Sequence, residues 1–291
     1  MRAPANLRQA IDQVALSLEQ SRVALGQGTL NTLDEAAWLV LSALGLPLDS
    51  DDAQLLAPIS AEQWQRVQSW VTQRIEKRIP MAYLTGEAWL QGVPFHVDAR
   101  TIIPRSLIAE VLADGVLDAY IPEGDAQVLD LCTGNGSLAI LCAMAWPWAR
   151  IDAIDLSTDA LAVAHMNLQR HGMTEHIRLL EGDGLAPAQG AYHLVVCNPP
   201  YVNQDSMDQL PPEFRHEPAM ALAGGTDGMD FIRPLLQKLP AHLEPNGALV
   251  LEIGHEIEHF MRAFPSLNGL WLPTSAGDDQ VDRKSTRLNS S

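Results

Sequence analysis

The chain has 291 residues, with 36 Asp+Glu against 19 Lys+Arg, for a formal charge of −17. At 47% hydrophobic and 19% charged it has the composition of a globular enzyme, and its length accommodates one large α/β domain with a smaller companion. So acidic a chain has little from which to build the basic face that nucleic-acid phosphates require, so no direct nucleic-acid binding is expected; its surface suits a basic partner or serves solubility alone.

Met1 to Gln20 is amphipathic without an unbroken apolar stretch, so no signal peptide is expected. The longest apolar run, Leu138 to Trp148, is too short to span a bilayer. Cys132, Cys142 and Cys197 include no CxxC pair, which fits a reducing compartment, and a cytoplasmic, membrane-free protein is the expectation. Leu7, Ile11, Val14 and Leu18, then Ala36, Leu39, Val40, Ala43 and Leu44, then Trp64, Val67, Trp70, Val71 and Ile75 recur at helical spacing, so residues 1–85 are expected to form a helical bundle for docking or support. Over 86–105 the period changes: Val93, Phe95 and Val97 alternate and Thr101-Ile102-Ile103 follows, predicting a hairpin-like bridge.

Beyond the bridge, strands and helices alternate. Strands are predicted at Gln127–Cys132, Arg150–Asp155, Ile177–Leu180, Tyr192–Cys197 and Ala248–Ile253. Helices are predicted at Ser137–Trp146 and Thr158–His171, from about Gly228 to His242, and from about Glu256. That order implies right-handed crossovers and an α/β fold with a doubly wound, Rossmann-like parallel sheet over 106–281.

The first of these strands runs into Cys132-Thr133-Gly134-Asn135-Gly136, a glycine turn opening a helix. Gly134 and Gly136 allow positive φ and close approach of a ligand to backbone. The loop lacks the third glycine of GxGxxG and the GK[ST] of a P-loop. Asp130 just before it disfavours a pyrophosphate and suits a cationic ligand, and S-adenosylmethionine carries an ammonium and a sulfonium. Asp155 ends the next strand, 21 residues after Gly134, where a carboxylate can accept ribose hydroxyls, and Asp183 follows the third strand in position for an adenine amino group.

Asn198-Pro199-Pro200-Tyr201 follows the apolar strand Leu194 to Cys197. An amide nitrogen is a poor nucleophile because its lone pair is delocalised. The Asn198 side-chain oxygen and the Pro199 carbonyl offer two acceptors that can hold both N–H groups of a planar NH2 and aim it at a methyl donor. The prolines fix φ and stiffen the loop, and Tyr201 offers a flat wall. The tetrapeptide alone serves a side-chain amide or an adenine exocyclic amine equally well.

At these residues the chain resembles the class I S-adenosylmethionine methyltransferases with an N-P-P-Y loop, and within them the glutamine N5-methyltransferases that act on translation proteins. The likeness covers almost the whole chain. Arg78 to Thr85 and Ile103-Pro104-Arg105-Ser106 are similar to the family's bridge, Cys132 to Gly136 to its cofactor loop, and Arg215-His216-Glu217-Pro218 and Gly224 to Gly228 to the segments beyond its catalytic tetrapeptide. One branch of the family acts on peptide-chain release factors and another on a large-subunit ribosomal protein. Cys132, the Arg-His-Glu-Pro run and Gly-Thr-Asp-Gly resemble the ribosomal branch. The resemblance implies S-adenosylmethionine as cofactor and a basic large-subunit ribosomal protein as substrate, with Arg105 among the cofactor contacts. It also implies Asn198, Pro199, Tyr201 and Glu217 among the substrate contacts.

Two features stand outside that pattern. His255-Glu256-Ile257-Glu258-His259 satisfies HExxH, but it follows a strand where this fold starts a crossover helix, and no third ligand is evident, so no metal is expected. Residues 282–291 are polar, aperiodic and closely resemble the in-frame translation of a sequencing-library adapter, so they are expected to be an artefactual tail. On that expectation the family's final antiparallel strand is missing after Val281, which would expose a sheet edge.

Overall fold

A computed structural model of the chain describes residues 3–267 and 269–285. Two compact units emerge, one comprising residues up to Ala88 with Leu210–His216, the other Trp89–Gln209 with the chain from Glu217 onward.

The first unit is helical. Helix α1 (Leu7–Gln20) is capped by Asn6 and buries Leu7, Ile11, Val14 and Leu18, the positions at which the apolar residues recur. Helix α2 (Thr32–Leu44) starts at the Asn31 cap and stops at Gly45 in the left-handed region. The short α3 (Asp52–Leu55) and the longer α4 (Ala61–Glu76) each open on a capping box, and α5 (Met81–Thr85) closes the series. The expectation of a contiguous 1–85 unit is corrected, because Leu210–His216 also belongs to it. The cause is a buried charge. Arg74, only 1% exposed, donates to Glu35 at 2.7 Å, to Glu213 at 3.2 Å and to the Ala24 carbonyl at 2.7 Å. A buried guanidinium is tolerated only with such partners, and one of them comes from far along the chain.

Strands β1 (Glu87–Leu90) and β2 (Val93–His96) form a two-stranded sheet along the expected bridge. Then follow α6 (Ile108–Ala113), β3 (Gln127–Leu131), α7 (Ser137–Ala145), β4 (Arg150–Asp155), α8 (Thr158–His171), β5 (Ile177–Glu181) and β6 (Tyr192–Cys197). After them come α9 (Gln204–Asp208), α10 (Ile232–Lys238), β7 (Leu243–Glu252), α11 (Ile257–Ala263), β8 (Leu270–Thr274) and β9 (Gly277–Ser285). The main sheet has the order β5-β4-β3-β6-β7-β9-β8, with β5 through β7 parallel and β9 antiparallel to both its neighbours.

Strands in the middle of this sheet are apolar on both sides because both faces are covered. Val128, Leu194 and Val196 join one core with α6 and α7, while Leu129, Val195 and Cys197 join the other with α10 and α11. Helix α7 is apolar all round, with every residue from Ser137 to Ala143 buried. Among the described residues no helix is long and apolar enough to cross a membrane.

Two expectations change here. The helix expected from about Gly228 begins at Ile232, because Gly228 itself sits at φ +79°, outside the helical region. The final antiparallel strand expected to be missing is present: β9 runs through Ser285, pairing Ala248 with Ser285 and Glu252 with Val281. Ladder pairing uses backbone N–H and C=O groups, so the polar tail residues 282–285 serve as well as apolar ones would. Residues 286–291 of the expected tail lie outside the described residues.

Candidate active site

The chain leaves β3 for β4 and β5 on one side, then returns to place β6 on the other. In doubly wound sheets ligands bind outside the carboxyl ends of the strands at such a switch point. Here the register pairs Leu131 with Cys197, so Cys132 and Asn198 emerge side by side. A cleft opens there, lined by Arg105, Cys132, Gly134, Asp155, Asp183 and the whole Asn198-Pro199-Pro200-Tyr201 loop, with Ile102, Leu156, Met220 and Phe231 as apolar walls.

The glycine loop is held by carboxylates close to it in sequence. Asp155 accepts from the Gly134 amide at 2.8 Å and from Ser157 at 2.9 Å, and burial raises its pKa. Asp130 is fully buried and does not line the cleft; one oxygen accepts from the Thr133 hydroxyl at 2.6 Å and the Ala139 amide at 2.9 Å. The expectation that Asp130 meets a cationic ligand directly is therefore corrected. It ties the loop to the first turn of α7, where unpaired helix N–H groups need an acceptor. Burial pushes its pKa up to about 7. Asn135 turns inward, accepting from the Ser137 amide at 3.3 Å, and Thr133 and Gly136 likewise stay off the cleft surface. Cys132 occupies the left-handed region at φ +61°. Its free thiol packs against the core that holds Cys197, and hydrogen bonding to that thiol with burial raises its pKa well above the ordinary range, leaving a neutral thiol rather than a nucleophile.

The N-P-P-Y loop is fastened by carboxylates 51 and 53 residues from their partners in sequence, and by backbone of the 222–224 segment. Tyr201 donates its hydroxyl to Glu252 at 3.2 Å, and burial beside that carboxylate keeps it protonated. Asn203 donates its side-chain amide to Glu256 at 2.7 Å, and Val202 is bonded through backbone to Leu222 and Gly224 at 2.9 and 2.8 Å. The Asn198 carboxamide has no hydrogen-bond partner among the described residues, so its oxygen remains an available acceptor at the cleft. Glu256, the acid of the HExxH pattern, is thus engaged with Asn203 and, at 2.6 Å, with His259.

Both arginines of the cleft are paired. Arg100 binds Asp98 at 2.6 and 2.9 Å, which draws the Asp98 pKa down to about 2, and Arg105 grips the buried Glu217 with both terminal nitrogens at 2.5 and 2.7 Å. Glu217 also accepts from the Ile103 amide at 3.1 Å, so it lies behind Arg105 and off the cleft surface. The carboxylates lining the cleft without a cationic side chain bound to them among the described residues are Asp155 and Asp183. Acidic edges and apolar walls fit a cationic nucleoside such as S-adenosylmethionine better than a pyrophosphate.

The family model of the methyltransferase small domain matches residues 111–226, from within α6 to beyond the tetrapeptide. The ribosomal protein uL3 glutamine methyltransferase of Bordetella pertussis is 49% identical over 277 residues, covering 94% of this chain and 93% of that one. This chain belongs to the ribosomal protein uL3 glutamine methyltransferase family. The Burkholderia pseudomallei relative of the same description is 46% identical over 286 residues, covering 94% and 92%. Among solved structures, the hMettl16 catalytic domain in complex with MAT2A 3'UTR hairpin 6 superposes with a TM-score of 0.50 at 10% identity. It covers 79% of this chain and 83% of that one, a likeness of fold alone. The family's loops thus meet at one cleft, with Asp155, Asp183, Arg105 and the tetrapeptide brought together and Asp130 and Glu217 supporting from behind. Sequence reasoning did not find Glu252, and it singled out Glu256 only within the HExxH pattern that it set aside. The available signal was one carboxylate closing the apolar run Ala248 to Leu251.

Proposed function

We propose that this chain transfers the methyl group of S-adenosylmethionine to the side-chain amide nitrogen of a glutamine in ribosomal protein uL3, in the cytoplasm. The observation that carries the reading is the Asn198 acceptor at the switch point of a chain 49% identical to a uL3 glutamine methyltransferase. When bound, the cofactor supplies an electrophilic methyl on a sulfonium. Asp155 and Asp183 offer acceptors for its ribose and adenine, with the glycine loop beside them. Asn198 and the Pro199 carbonyl accept the two amide hydrogens of the glutamine, which fixes the nitrogen's direction and favours its lone pair. Tyr201 walls the planar group. The N–C bond forms as the S–C bond breaks, and the nitrogen then gives up a proton that solvent can take. No strong base is required.

The test is incubation with labelled cofactor and uL3, a release factor, duplex DNA or tRNA, followed by mass spectrometry of the product. Label on a uL3 glutamine, and a loss on the order of 10²–10³-fold in Asn198→Ala with cofactor binding retained, is the expected result. Transfer to the release factor or to nucleic acid in preference to uL3 would reassign the substrate. Full activity in Asn198→Ala would reassign the catalytic loop.

A further inference from the structure

The last residue of β7 carries a carboxylate that does not line the cleft. Glu252 is 3% exposed, closing the buried apolar run Ala248 to Leu251 at the end of β7. One of its oxygens accepts from the Ser106 hydroxyl at 2.6 Å and the Leu107 amide at 2.9 Å; the other accepts from the Tyr201 hydroxyl at 3.2 Å. A single buried group therefore joins the residues directly after Arg105 to the last residue of N-P-P-Y. The Tyr201 ring is also fixed from its edge. A Cβ on Gly254 would stand 2.6 Å from its Cε2, so the ring lies against bare backbone.

Burying a carboxylate is costly unless donors surround it. Here three donors converge from two segments far apart in sequence, and both segments line the cleft or adjoin it. A hydrophobic residue would fill the same volume without linking those segments, so the link itself is what the carboxylate adds.

We propose that Glu252 is a positioning residue for methyl transfer: through the Tyr201 hydroxyl it fixes the aromatic wall, and through Ser106 and Leu107 it locks that wall to the Arg105 segment. The proposal rests on N-P-P-Y being the catalytic loop. The effect falls on orientation of the target amide, because Glu252 reaches neither the acceptors nor the cleft. Misplacement on the order of 1 Å costs up to about 10²-fold in rate, which sets the size of the effect.

The experiment uses the full chain with S-adenosylmethionine and uL3. Glu252→Ala is expected to lower kcat by about 10²-fold and Glu252→Gln, which keeps one acceptor, by about 10-fold. The KM values and the calorimetric Kd for the cofactor stay within about threefold in both, because no cofactor contact is removed. In a double-mutant cycle, Glu252→Gln on top of Tyr201→Phe costs less than about twofold more, since both changes break one link. Unchanged kcat in either Glu252 variant, additive losses in the cycle, or loss of cofactor binding in both variants would overturn the proposal. Asn198→Ala separates the two readings. If it is inactive while Glu252→Ala is active, only the positioning role fails; if it is fully active, the catalytic loop and the positioning role fail together.

Discussion

The glycine loop and the N-P-P-Y loop leave adjacent parallel strands at the same edge, yet they are held by opposite strategies. Asp130 and Asp155 bracket the glycine loop within 25 residues or so of chain, and each accepts backbone or hydroxyl donors of that loop or of the helix it opens. The N-P-P-Y loop depends on Glu252 and Glu256, on a bridge to Ala223, and on close passage of Gly224, Gly228 and Gly254, all later in the chain. The glycine loop is built from local contacts. A loop that must present two acceptors in fixed directions is held from several sides, and the holding residues come from wherever the fold brings them.

The largest expected effect separates the two loops by their glycines. A Cβ on Gly228 would stand 2.3 Å from the Tyr201 carbonyl oxygen, at a φ of +79°. Backbone must move, so Gly228→Ala is expected to destabilise the fold by about 2–4 kcal/mol and to lower kcat by about 10²-fold. A Cβ on Gly134 meets only Ile102, at 3.7 Å, so Gly134→Ala costs about 1–2 kcal/mol, mainly for its positive φ. Urea unfolding of both variants checks this, and equal losses would break the contrast. Next in size is Asp155→Ala. It strands the Gly134 and Ser157 amides, and loosening them is expected to weaken cofactor binding by about 1–3 kcal/mol, or roughly 10- to 100-fold in Kd by calorimetry. With saturating cofactor kcat should stay near that of the parent. A fall in kcat alone would mean that the carboxylate acts on the other loop.

The same contrast explains what could be read from the sequence. Strands β3, β4 and β6 and helices α7 and α8 are legible because an apolar run, a glycine turn and a cap such as Ser157 are local signals. So is the clustering of Cys132, Gly134, Asp155, Asp183 and Asn198, since it needs only strand order and the switch-point rule. The roles of Asp130 and Glu217 were not legible. Charge near a cofactor loop suggests contact with the ligand, but which way a side chain at a strand end turns depends on which donors lie behind it. For Asp130 those are Thr133 and Ala139, and for Glu217 they are Ile103 and Arg105, more than 110 residues earlier in the chain. The membership of Leu210–His216 in the helical unit was hidden for the same reason. Nothing near Glu213 in sequence reveals that its partner is Arg74.

Asp130 sharpens the local strategy through pH. Burial raises its pKa from the ordinary 3.8 to about 7, so the folded chain holds that proton more tightly than the unfolded chain does. The stability it contributes is fully present below about pH 4 and is lost as the pH rises through about 7. Asp130→Asn cannot titrate. The unfolding midpoint of the parent, relative to that of Asp130→Asn, should therefore fall steadily between pH 5 and pH 8, with urea as denaturant. A difference that stays flat across this window would place the carboxylate in an ionised, better-solvated state than its burial implies.

The smallest effect concerns Cys132, the non-glycine residue that the glycine loop holds at φ +61°. A left-handed backbone costs an L-residue about 1–2 kcal/mol, and the thiol offsets part of this by packing against Cys197. Cys132→Ala keeps the strain and removes the thiol, whereas Cys132→Gly removes both. Glycine's greater freedom in the unfolded chain returns about 0.5–1 kcal/mol of the gain. Cys132→Gly should therefore be more stable than Cys132→Ala by up to about 1 kcal/mol, and within about 1 kcal/mol of the parent. If Cys132→Ala proves the more stable of the two, the loop relaxes out of the left-handed region once the thiol contact is gone. Cys197 on β6 would then be what holds the glycine loop in shape, and the two loops would share a fastening after all.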